Sequence, residues 1–476
     1  VLSPNEHGDW ISMRNEGFNE FIPLAPEKKF MANAKSMFMT YAIGIATNRD
    51  AWVYNFSKIH LFKNVSRMVD FYNLQVEYCQ KTNVSKESLE SYIEKDDTKI
   101  SWTRGLKKTL LKGEKLSCVD DARTVLYRPY CQQEICYNEL LIESPGLSNK
   151  LYPMNASVNK VIIISCVSQN KQMSVLITNH VTDLHAIGDT QIFPLYWYEK
   201  KEALQLSLFD EEPQAEYVRR DGISNWILNE VRSRLKIKSI DKEMIFYYIY
   251  GFLHSPEYRS TFEADLKKSL PRIPIIEDVD AFNDFYQAGK ALAKLHLDYE
   301  NVPAYEGLEI EDTYHGKDAY EHYAVSPKMK FPKKDQKDTI IYNDYITIRH
   351  IPAEAYDYIV NGKSAIEWLM ERYAITIDKK SGIKNDPNDW SREHENPSYI
   401  FDLVCSIVNV SVKTMEIVGK LPKLSFNGAE VSIDIAGRMS EISDSAKKEM
   451  TIATEDNTLY LRVKQEEFYH IVVEEA

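Results

Sequence analysis

The stretch Ser174-Val-Leu-Ile-Thr-Asn-His-Val-Thr-Asp-Leu-His-Ala-Ile-Gly-Asp-Thr-Gln-Ile-Phe-Pro-Leu-Tyr-Trp-Tyr-Glu199 gives the clearest indication of the fold. It begins with an apolar run and ends with an aromatic one, and a polar segment lies between them. A second apolar run, Lys160-Val-Ile-Ile-Ile-Ser-Cys-Val, precedes it across the polar turn Ser168-Gln-Asn-Lys-Gln. Two apolar runs joined by a short polar turn are typical of a β-hairpin. The sequence therefore predicts a hairpin that feeds an exposed polar loop.

The polar loop is a candidate for reading the hydrogen-bonding edges of a ligand. Its candidate residues are Asn179, His180, Asp183, His185, Asp189 and Gln191. Asn and Gln, together with Arg, are the side chains that read base edges in the major groove of DNA. The alternative is a polar turn whose side chains bond to one another. Two histidines and an aspartate could also suggest a metal, but no Cys or Glu completes a ligand set at the usual spacing, so we predict no metal site.

The length and charge of the chain limit the possible functions. A chain of 476 residues is long enough for two or three domains, each with its own core. A net charge of −13 argues against a polyanion-binding surface over the whole molecule, so any nucleic-acid surface would be local. The six cysteines show no CxxC pairing and no apolar run could span a bilayer, which predicts reduced thiols in the cytoplasm and no membrane. Because Val1 rather than Met stands first, we expect a piece of a longer or processed protein.

A basic cluster between residues 99 and 115 is the first candidate for phosphate contacts. A helix through this segment would carry four cations on one face: Arg104, Lys107, Lys108 and Lys112. Contacts to the phosphate backbone need cations arranged in this way. The alternative is an ordinary solvated helix face.

A second basic stretch lies beside a predicted strand at residues 339–349. Its candidate DNA-binding residues are Lys333, Lys334, Lys337 and Tyr345, and a solvated lysine loop is the alternative. Arg128, which precedes a proline and is therefore biased to extended backbone, and Lys363 in Asn361-Gly-Lys-Ser complete the predicted set.

Apolar periodicity predicts several helices among the strands. The spacing indicates amphipathic helices over Val65–Cys79 and Ala281–Leu297 and a mostly apolar helix over Phe401–Val418. An aromatic run at Ile245–Tyr250 is more typical of a core than of a platform for bases. The chain is therefore predicted to be α+β, with mixed sheets and helices.

Several short motifs, taken in order, resemble a known family. They include Trp52-Val-Tyr-Asn-Phe-Ser, Ser101-Trp-Thr-Arg, Leu126-Tyr-Arg-Pro-Tyr, Thr178-Asn-His-Val-Thr-Asp-Leu-His, Phe193-Pro-Leu-Tyr-Trp-Tyr-Glu, Tyr250-Gly-Phe-Leu-His-Ser-Pro-Glu-Tyr-Arg and Ala288-Gly-Lys-Ala-Leu-Ala-Lys-Leu-His-Leu. In this order they resemble the C-terminal part of Type ISP restriction–modification enzymes. The resemblance implies a longer protein that runs nuclease, helicase-like ATPase, coupling helices, adenine-N6 methyltransferase and target-recognition domain.

Three motifs that such an enzyme needs for catalysis are missing from this sequence. We find neither a Gly-rich loop for S-adenosylmethionine nor an Asn-Pro-Pro-Tyr element, and Asn361-Gly-Lys-Ser lacks the upstream glycine of an ATP-binding loop. The resemblance thus covers the end of the methyltransferase and the target-recognition region. It implies double-stranded DNA as the ligand and a non-catalytic chain without a cofactor. S-adenosylmethionine, ATP and Mg would serve the upstream methyltransferase and helicase–nuclease domains.

The resemblance also suggests a domain division. We predict the end of the methyltransferase with connecting helices at 1–120, and two target-recognition subdomains at 121–300 and 301–476. One alternative is a degenerate or split methyltransferase with a residual cofactor site around Asp9, Trp10, Arg14 and Asn48. Another is a protein-interaction scaffold that uses the acidic, tyrosine-rich segment 298–323.

Overall fold

The computed structural model describes residues 14–31, 33–82, 84–117, 121–154, 157–165, 171–201, 216–433, 451–455 and 458–462. These residues form helices and several small sheets, which confirms the predicted α+β class. Among them, no helix is both long enough and apolar enough to cross a membrane.

The helices are distributed along the whole described chain. They are α1 Asp50–Val53, α2 Lys58–Lys81, α3 Leu89–Tyr92, α4 Arg104–Leu111, α5 Ser148–Leu151, α6 Asn225–Leu235, α7 Lys242–Phe252, α8 Pro256–Thr261, α9 Glu263–Leu266, α10 Val279–Leu297, α11 Ala319–His322, α12 Ala365–Arg372, α13 Pro387–Glu393 and α14 Tyr399–Gly419. Short 3₁₀ helices lie at Glu16–Glu20, Tyr299–Asn301 and Ala353–Tyr356.

The strands are mostly short. They are β1 Ile22–Pro23, β2 Ala42–Ile43, β3 Tyr54–Asn55, β4 Ala122–Arg128, β5 Cys131–Cys136, β6 Val161–Ile164, β7 Val175–Thr178, β8 Val181–Thr182, β9 Gln191–Pro194, β10 Tyr196–Lys200, β11 Tyr217–Asp221, β12 Arg272–Ile273, β13 Glu309–Asp312, β14 Ile340–Ile341, β15 Ile346–Arg349, β16 Ile359–Val360, β17 Lys363–Ser364, β18 Thr376–Ile377, β19 Lys384–Asn385, β20 Leu424–Asn427, β21 Glu430–Ile433, β22 Thr451–Glu455 and β23 Thr458–Arg462. The largest sheets have the orders β2-β9-β6-β7 and β3-β5-β4-β8.

The sheet β2-β9-β6-β7, which we call the central sheet, separates two hydrophobic cores. Val161 and Ile163 of β6 belong to the first core, whereas Ile162 and Ile164 belong to the second. A sheet buried on both faces needs apolar side chains at every position of its inner strands, which accounts for the unbroken apolar run of β6. The predicted hairpin is confirmed, because β6 and β7 pair antiparallel with Val161 opposite Thr178.

The stretch from Ser174 to Glu199 joins the two large sheets. After β7 it enters the other sheet as β8, parallel to β4, and then returns to the central sheet as β9. Strand β8 is the edge strand of that sheet, but it lies between β4 and the bridge that Ile45 forms with Asp183, so Val181, Thr182 and Asp183 are buried. The expectation of an exposed loop is therefore wrong for this part, and the loop is exposed at Asn179, His185 and Asp189.

The helices pack on the two sides of the central sheet. The first core takes α2, α12 and much of α14, and the second takes α6, α7, α8 and α10. The predicted helices correspond to α2, α10 and α14. The aromatic run of α7 is buried in the second core, as predicted. Both cores combine residues from distant parts of the chain, and the division at residues 120 and 300 stays a prediction.

Helices α7 and α10 cross with almost no space between their backbones. A Cβ atom on Gly289 would lie 1.9 Å from the carbonyl oxygen of Tyr247, and one on Gly251 would lie 2.1 Å from that of Phe285. Glycine is therefore required at both positions for this crossing. The close contact fixes α10 against the second core and leaves Lys290 and Lys294 on its exposed face.

Candidate nucleic-acid interface

Asp183, predicted to contact a ligand, is a buried structural residue in this fold. Its Oδ1 lies 2.8 Å from Nη1 of Arg128 and accepts a 2.8 Å hydrogen bond from the backbone N–H of His185. Its Oδ2 accepts a 2.9 Å hydrogen bond from the Tyr54 hydroxyl. Burial raises the pKa of Asp183 above its ordinary value, although the Arg128 guanidinium acts in the opposite direction. Asp183 and Arg128 thus satisfy each other, which argues against either reading DNA directly.

The same network extends to the segment before α1. The Tyr127 hydroxyl donates to Asp50 over 3.2 Å, and the Arg128 guanidinium lies 3.9 Å from the centre of the Tyr127 ring. The Thr47 hydroxyl also donates to Asp50. We call Asp183, Arg128, Tyr54, Tyr127 and Asp50 the Asp183 network. Its polar groups hold strand β4, the loop after β8 and the start of α1 in fixed positions.

The other residues of the predicted loop lie closer to solvent. His185 and Asp189 are exposed and form a pair with 3.3 Å between Nδ1 and Oδ1. Gln191 is half-buried at the start of β9, opposite Ile164. His180 is largely covered, and burial lowers its pKa, so it is neutral at pH 7. Asn179 is exposed and has no hydrogen-bond partner within the described part of the chain.

The basic helix α4 carries both paired and unpaired cations. Lys107 lies 2.6 Å from Glu90, and Lys112 lies 3.3 Å from Glu114. Arg104 and Lys108 are exposed, and no described residue forms an ion pair with them. The sequence excess of positive charge in this segment is therefore partly cancelled by folding.

The lysines of the second basic stretch are divided in the same way. Lys333 and Lys334 are exposed, whereas Lys337 lies 2.9 Å from Glu367. The Tyr345 hydroxyl donates to Glu321 over 3.1 Å. Lys363, on β17, forms an ion pair with Glu371. These partners leave Lys333 and Lys334 as the free cations of this predicted set within the described residues.

A groove on α10 brings together cations that are not among the predicted DNA-binding residues. It has a volume of about 540 Å³ and is lined by Lys160, Tyr247, Gln287, Lys290, Ala291, Lys294, Leu297 and Asp298. We call it the lysine groove. Lys160 precedes β6 and Asn179 follows β7, and these strands pair with Val161 opposite Thr178, so Lys160 and Asn179 are neighbours at one end of the central sheet. One predicted base-reading residue thus lies beside the lysine groove.

The alternative cofactor site around Asp9, Trp10, Arg14 and Asn48 lies only partly within the described residues. Asp9 and Trp10 lie outside the described residues, and Asn48 adopts a left-handed φ of 55° in the turn before α1. Within the described ranges, no group of three or more His, Cys, Asp or Glu side chains is placed to hold a metal ion.

The sequence and the fold both match known restriction enzymes. The Type ISP C-terminal specificity domain family matches residues 36–403. The chain belongs to this family. A search among curated proteins gives no match.

Solved structures of Type ISP enzymes share the fold. A nuclease-deletion mutant of the Type ISP enzyme LlaGI, in complex with a DNA substrate mimic, is 36% identical with a TM-score of 0.76, and the match covers 90% of this chain and 36% of that one. The ATP-dependent Type ISP enzyme LlaBIII, bound to DNA, is 35% identical with a TM-score of 0.76, and the match covers 90% and 26%. A DrdV–DNA complex is 25% identical with a TM-score of 0.74, covering 89% and 40%. The chain thus spans about a third of the LlaGI deletion mutant and a quarter of LlaBIII.

Part of the lysine groove of this Type ISP domain could be recognised from the sequence. Lys290 and Lys294 are four residues apart in Ala288-Gly-Lys-Ala-Leu-Ala-Lys, which places them on one face of the predicted helix. That face lies opposite buried Leu292 and Phe285. The contribution of Lys160 could not be read in this way, because it depends on the pairing of β6 with β7 and on the packing of α7 and α10.

Proposed function

We propose that this chain is the module that recognises a DNA sequence for a Type ISP restriction–modification enzyme. The observation that carries the proposal is the match of residues 36–403 to the Type ISP specificity domain, together with the shared fold of LlaGI on a DNA substrate mimic and LlaBIII on DNA. A specificity domain must bind duplex DNA tightly enough to hold its register and must distinguish base edges in a groove. The ligand of this chain is accordingly double-stranded DNA.

The two tasks fall to different side chains. Free cations on the surface bind phosphates, and exposed amide and imidazole groups of the loop, Asn179 and His185 among them, meet base edges. The Asp183 network holds the loop in position and makes no direct contact with DNA. This division is supported by the burial of Asp183 and the exposure of Asn179.

The catalytic steps are assigned to other domains of the same polypeptide or complex. An adenine-N6 methyltransferase using S-adenosylmethionine, and a helicase–nuclease using ATP and Mg, are the partners of this module, and the enzyme acts in the cytoplasm. Because a methyltransferase must extrude its target base from the duplex, the specificity module has to hold the DNA while that base is out of the stack.

Selection from a random pool tests the proposal directly. The chain is incubated with randomised duplexes at two salt concentrations, and bound duplexes are sequenced over several rounds. We expect one short asymmetric site to be enriched, with affinity that decreases as salt increases because phosphate contacts release counterions. Binding that is independent of both sequence and salt would contradict DNA recognition. An enrichment that appears only after the methyltransferase domain is added would show that recognition needs both parts.

A further inference from the structure

We infer that the lysine groove, extended by Arg219, is the surface on which this chain holds the phosphate backbone of its DNA. The inference rests on the proposed function and states where on this chain the DNA backbone binds. The surface lies at one end of the central sheet and along the exposed face of α10. It differs from both basic segments predicted to bind phosphates, α4 and the stretch that carries Lys333, Lys334 and Lys337.

The strand register places the cations in a row. Val161 of β6 lies opposite both Thr178 of β7 and Pro194 of β9, so the residues just beyond this level share one end of the sheet. Lys160 lies at that end between Asn179 and the start of β10. There the Arg219 guanidinium lies 4.2 Å from the centre of the Tyr196 ring. Three neighbouring strands therefore bring Asn179, Lys160 and the Arg219–Tyr196 pair to a common edge.

Helix α10 supplies the second row of charge. Lys290 and Lys294 are exposed, and neither forms an ion pair with any described residue. A helix rises 1.5 Å per residue, so ammonium groups four positions apart are about 6 Å apart along the axis, close to the spacing of successive phosphates on one strand. Two lysines at this spacing can contact adjacent phosphates of one DNA strand.

Acidic side chains near the groove are few and already engaged. Glu243 lies 3.4 Å from Lys160 and accepts a 3.2 Å hydrogen bond from the Tyr247 hydroxyl. Asp298 accepts a 2.6 Å hydrogen bond from Asn301. Asp298 lines the groove and keeps its negative charge, because an amide donor does not neutralise it. Lys290, Lys294 and Arg219 form no ion pair with any described residue, in a chain whose net charge is −13. A local cation cluster on an acidic protein is the electrostatic feature expected of a polyanion site.

Asn179 connects the phosphate surface to sequence recognition. Its exposed amide lies next to Lys160 at the sheet edge and has no hydrogen-bond partner among the described residues. An asparagine can form two hydrogen bonds with adenine in the major groove. A backbone held in the lysine groove would bring base edges within reach of this side chain, and the rigid sheet would fix its position.

The test compares two pairs of lysines that differ in whether they have acidic partners. Lys290→Ala/Lys294→Ala removes the free cations of the groove, and Lys107→Ala/Lys112→Ala removes lysines that pair with Glu90 and Glu114. Affinity for the selected duplex is measured at several salt concentrations on the full chain. Each protein is checked for folding by circular dichroism and urea unfolding.

We expect the groove variant to lose affinity on the order of tenfold at 0.1 M salt, and its slope of log affinity against log salt to become shallower by about 2, because two phosphate contacts are lost. The Lys107→Ala/Lys112→Ala variant should bind within about twofold of the unmodified chain, since its lysines are already compensated. Lys290→Arg/Lys294→Arg should restore both affinity and slope. Asn179→Ala should leave the salt slope unchanged and reduce discrimination at one base pair.

Three results would overturn the inference in distinguishable ways. If no duplex is bound either by the chain alone or after the methyltransferase domain is added, the proposed function fails and the location fails with it. If the chain binds but the groove variant keeps its affinity and slope, only the location is wrong. If Arg104→Ala/Lys108→Ala makes the salt slope shallower and the groove variant does not, the DNA backbone lies on α4. The lysine groove would then be free to bind an acidic segment of a partner domain instead of DNA.

Discussion

The Asp183 network and the lysine groove lie beside the same loop, the one that follows β7, but they use charge in opposite ways. Asp183 and Arg128 are buried and satisfy each other at 2.8 Å. Lys290 and Lys294 are exposed and form no ion pair with a described residue. Asn179, beside the groove, and Asp183, in the network, are four positions apart in the sequence.

This difference separates the charges that build the fold from those available to a ligand. A buried ion pair stabilises the native state only as long as both partners remain, because removing one leaves an uncompensated charge in the interior. An exposed lysine contributes little to folding but can displace a counterion from DNA. Substitutions in the two regions should therefore affect different measurements, stability in the first and salt-dependent binding in the second.

The largest effect is expected from Asp183→Ala. The substitution leaves the Arg128 guanidinium, whose side chain is 13% exposed, without its partner, and it removes the acceptor of the Tyr54 hydroxyl. We expect the free energy of unfolding to fall by about 3–5 kcal/mol, the usual result of breaking one half of a buried pair. Urea unfolding monitored by tryptophan fluorescence measures it.

Asp189→Ala is the matched control for that experiment. Asp189 belongs to the same loop, but its side chain is 58% exposed and its partner His185 is 55% exposed. We expect a change within about 0.5 kcal/mol, as is usual for surface substitutions. Equal losses from the two substitutions would show that Asp183 has no special structural role and would remove the contrast between the network and the surface.

The fold was predictable where a local pattern determined it. The apolar run of β6 predicts the hairpin, and helical spacing predicts α2, α10 and α14. Strand β8 has only two residues, and its partner β4 lies more than fifty positions earlier, with Val125 opposite Val181. Neither periodicity nor turn chemistry could predict such a pairing. For that reason the expected loop exposure was wrong at Val181–Asp183.

Some of the predicted site residues carry free charges and others are paired, and the sequence could not separate them for a similar physical reason. The sequence shows which side chains carry charge, but whether a charge is free depends on partners that are distant in the chain. Asp183 meets Arg128 across 55 positions, and Lys107 meets Glu90 across 17. The lysine spacing in α10 was visible, but its link to Lys160 required the tertiary structure. The roles of the remaining predicted residues, including Lys333 and Lys334, stay predictions.

A second effect follows from two buried histidines, His254 and His296. The imidazole Nδ1 of His296 lies 2.6 Å from the Tyr250 hydroxyl, and His254 donates from Nδ1 to the Tyr250 carbonyl over 2.7 Å. Burial, reinforced by the nearby Arg259 guanidinium, lowers the pKa of His254 to about 3. Burial also lowers the pKa of His296. Both histidines are therefore neutral in the folded chain at pH 7.

Stability should decrease as the pH falls below the ordinary histidine pKa of about 6.5, because the unfolded chain binds these protons first. Each histidine should contribute about 1.4 kcal/mol per pH unit in this range. Urea unfolding between pH 7 and 5 measures how the free energy of unfolding depends on pH. His254→Gln should reduce this slope by about 1.4 kcal/mol per pH unit, the contribution of one proton. An unchanged slope in His254→Gln would show that His254 titrates in the folded chain.

The smallest of the three effects is expected from Gly289→Ala, which tests whether the groove depends on the packing beneath it. The new methyl group would lie 1.9 Å from the Tyr247 carbonyl oxygen, so α10 must move away from α7. Overpacking of this kind costs about 1–3 kcal/mol of the free energy of unfolding. At Gly419, the control position, a Cβ atom meets nothing within 4 Å, so Gly419→Ala should not lower stability and should raise it by up to about 1 kcal/mol. Because lysine–phosphate attraction tolerates small shifts, Gly289→Ala should bind DNA within about threefold of the unmodified chain, with the same salt slope. A shallower slope would instead mean that the backbone site requires the α7–α10 crossing as well as the charge of Lys290 and Lys294.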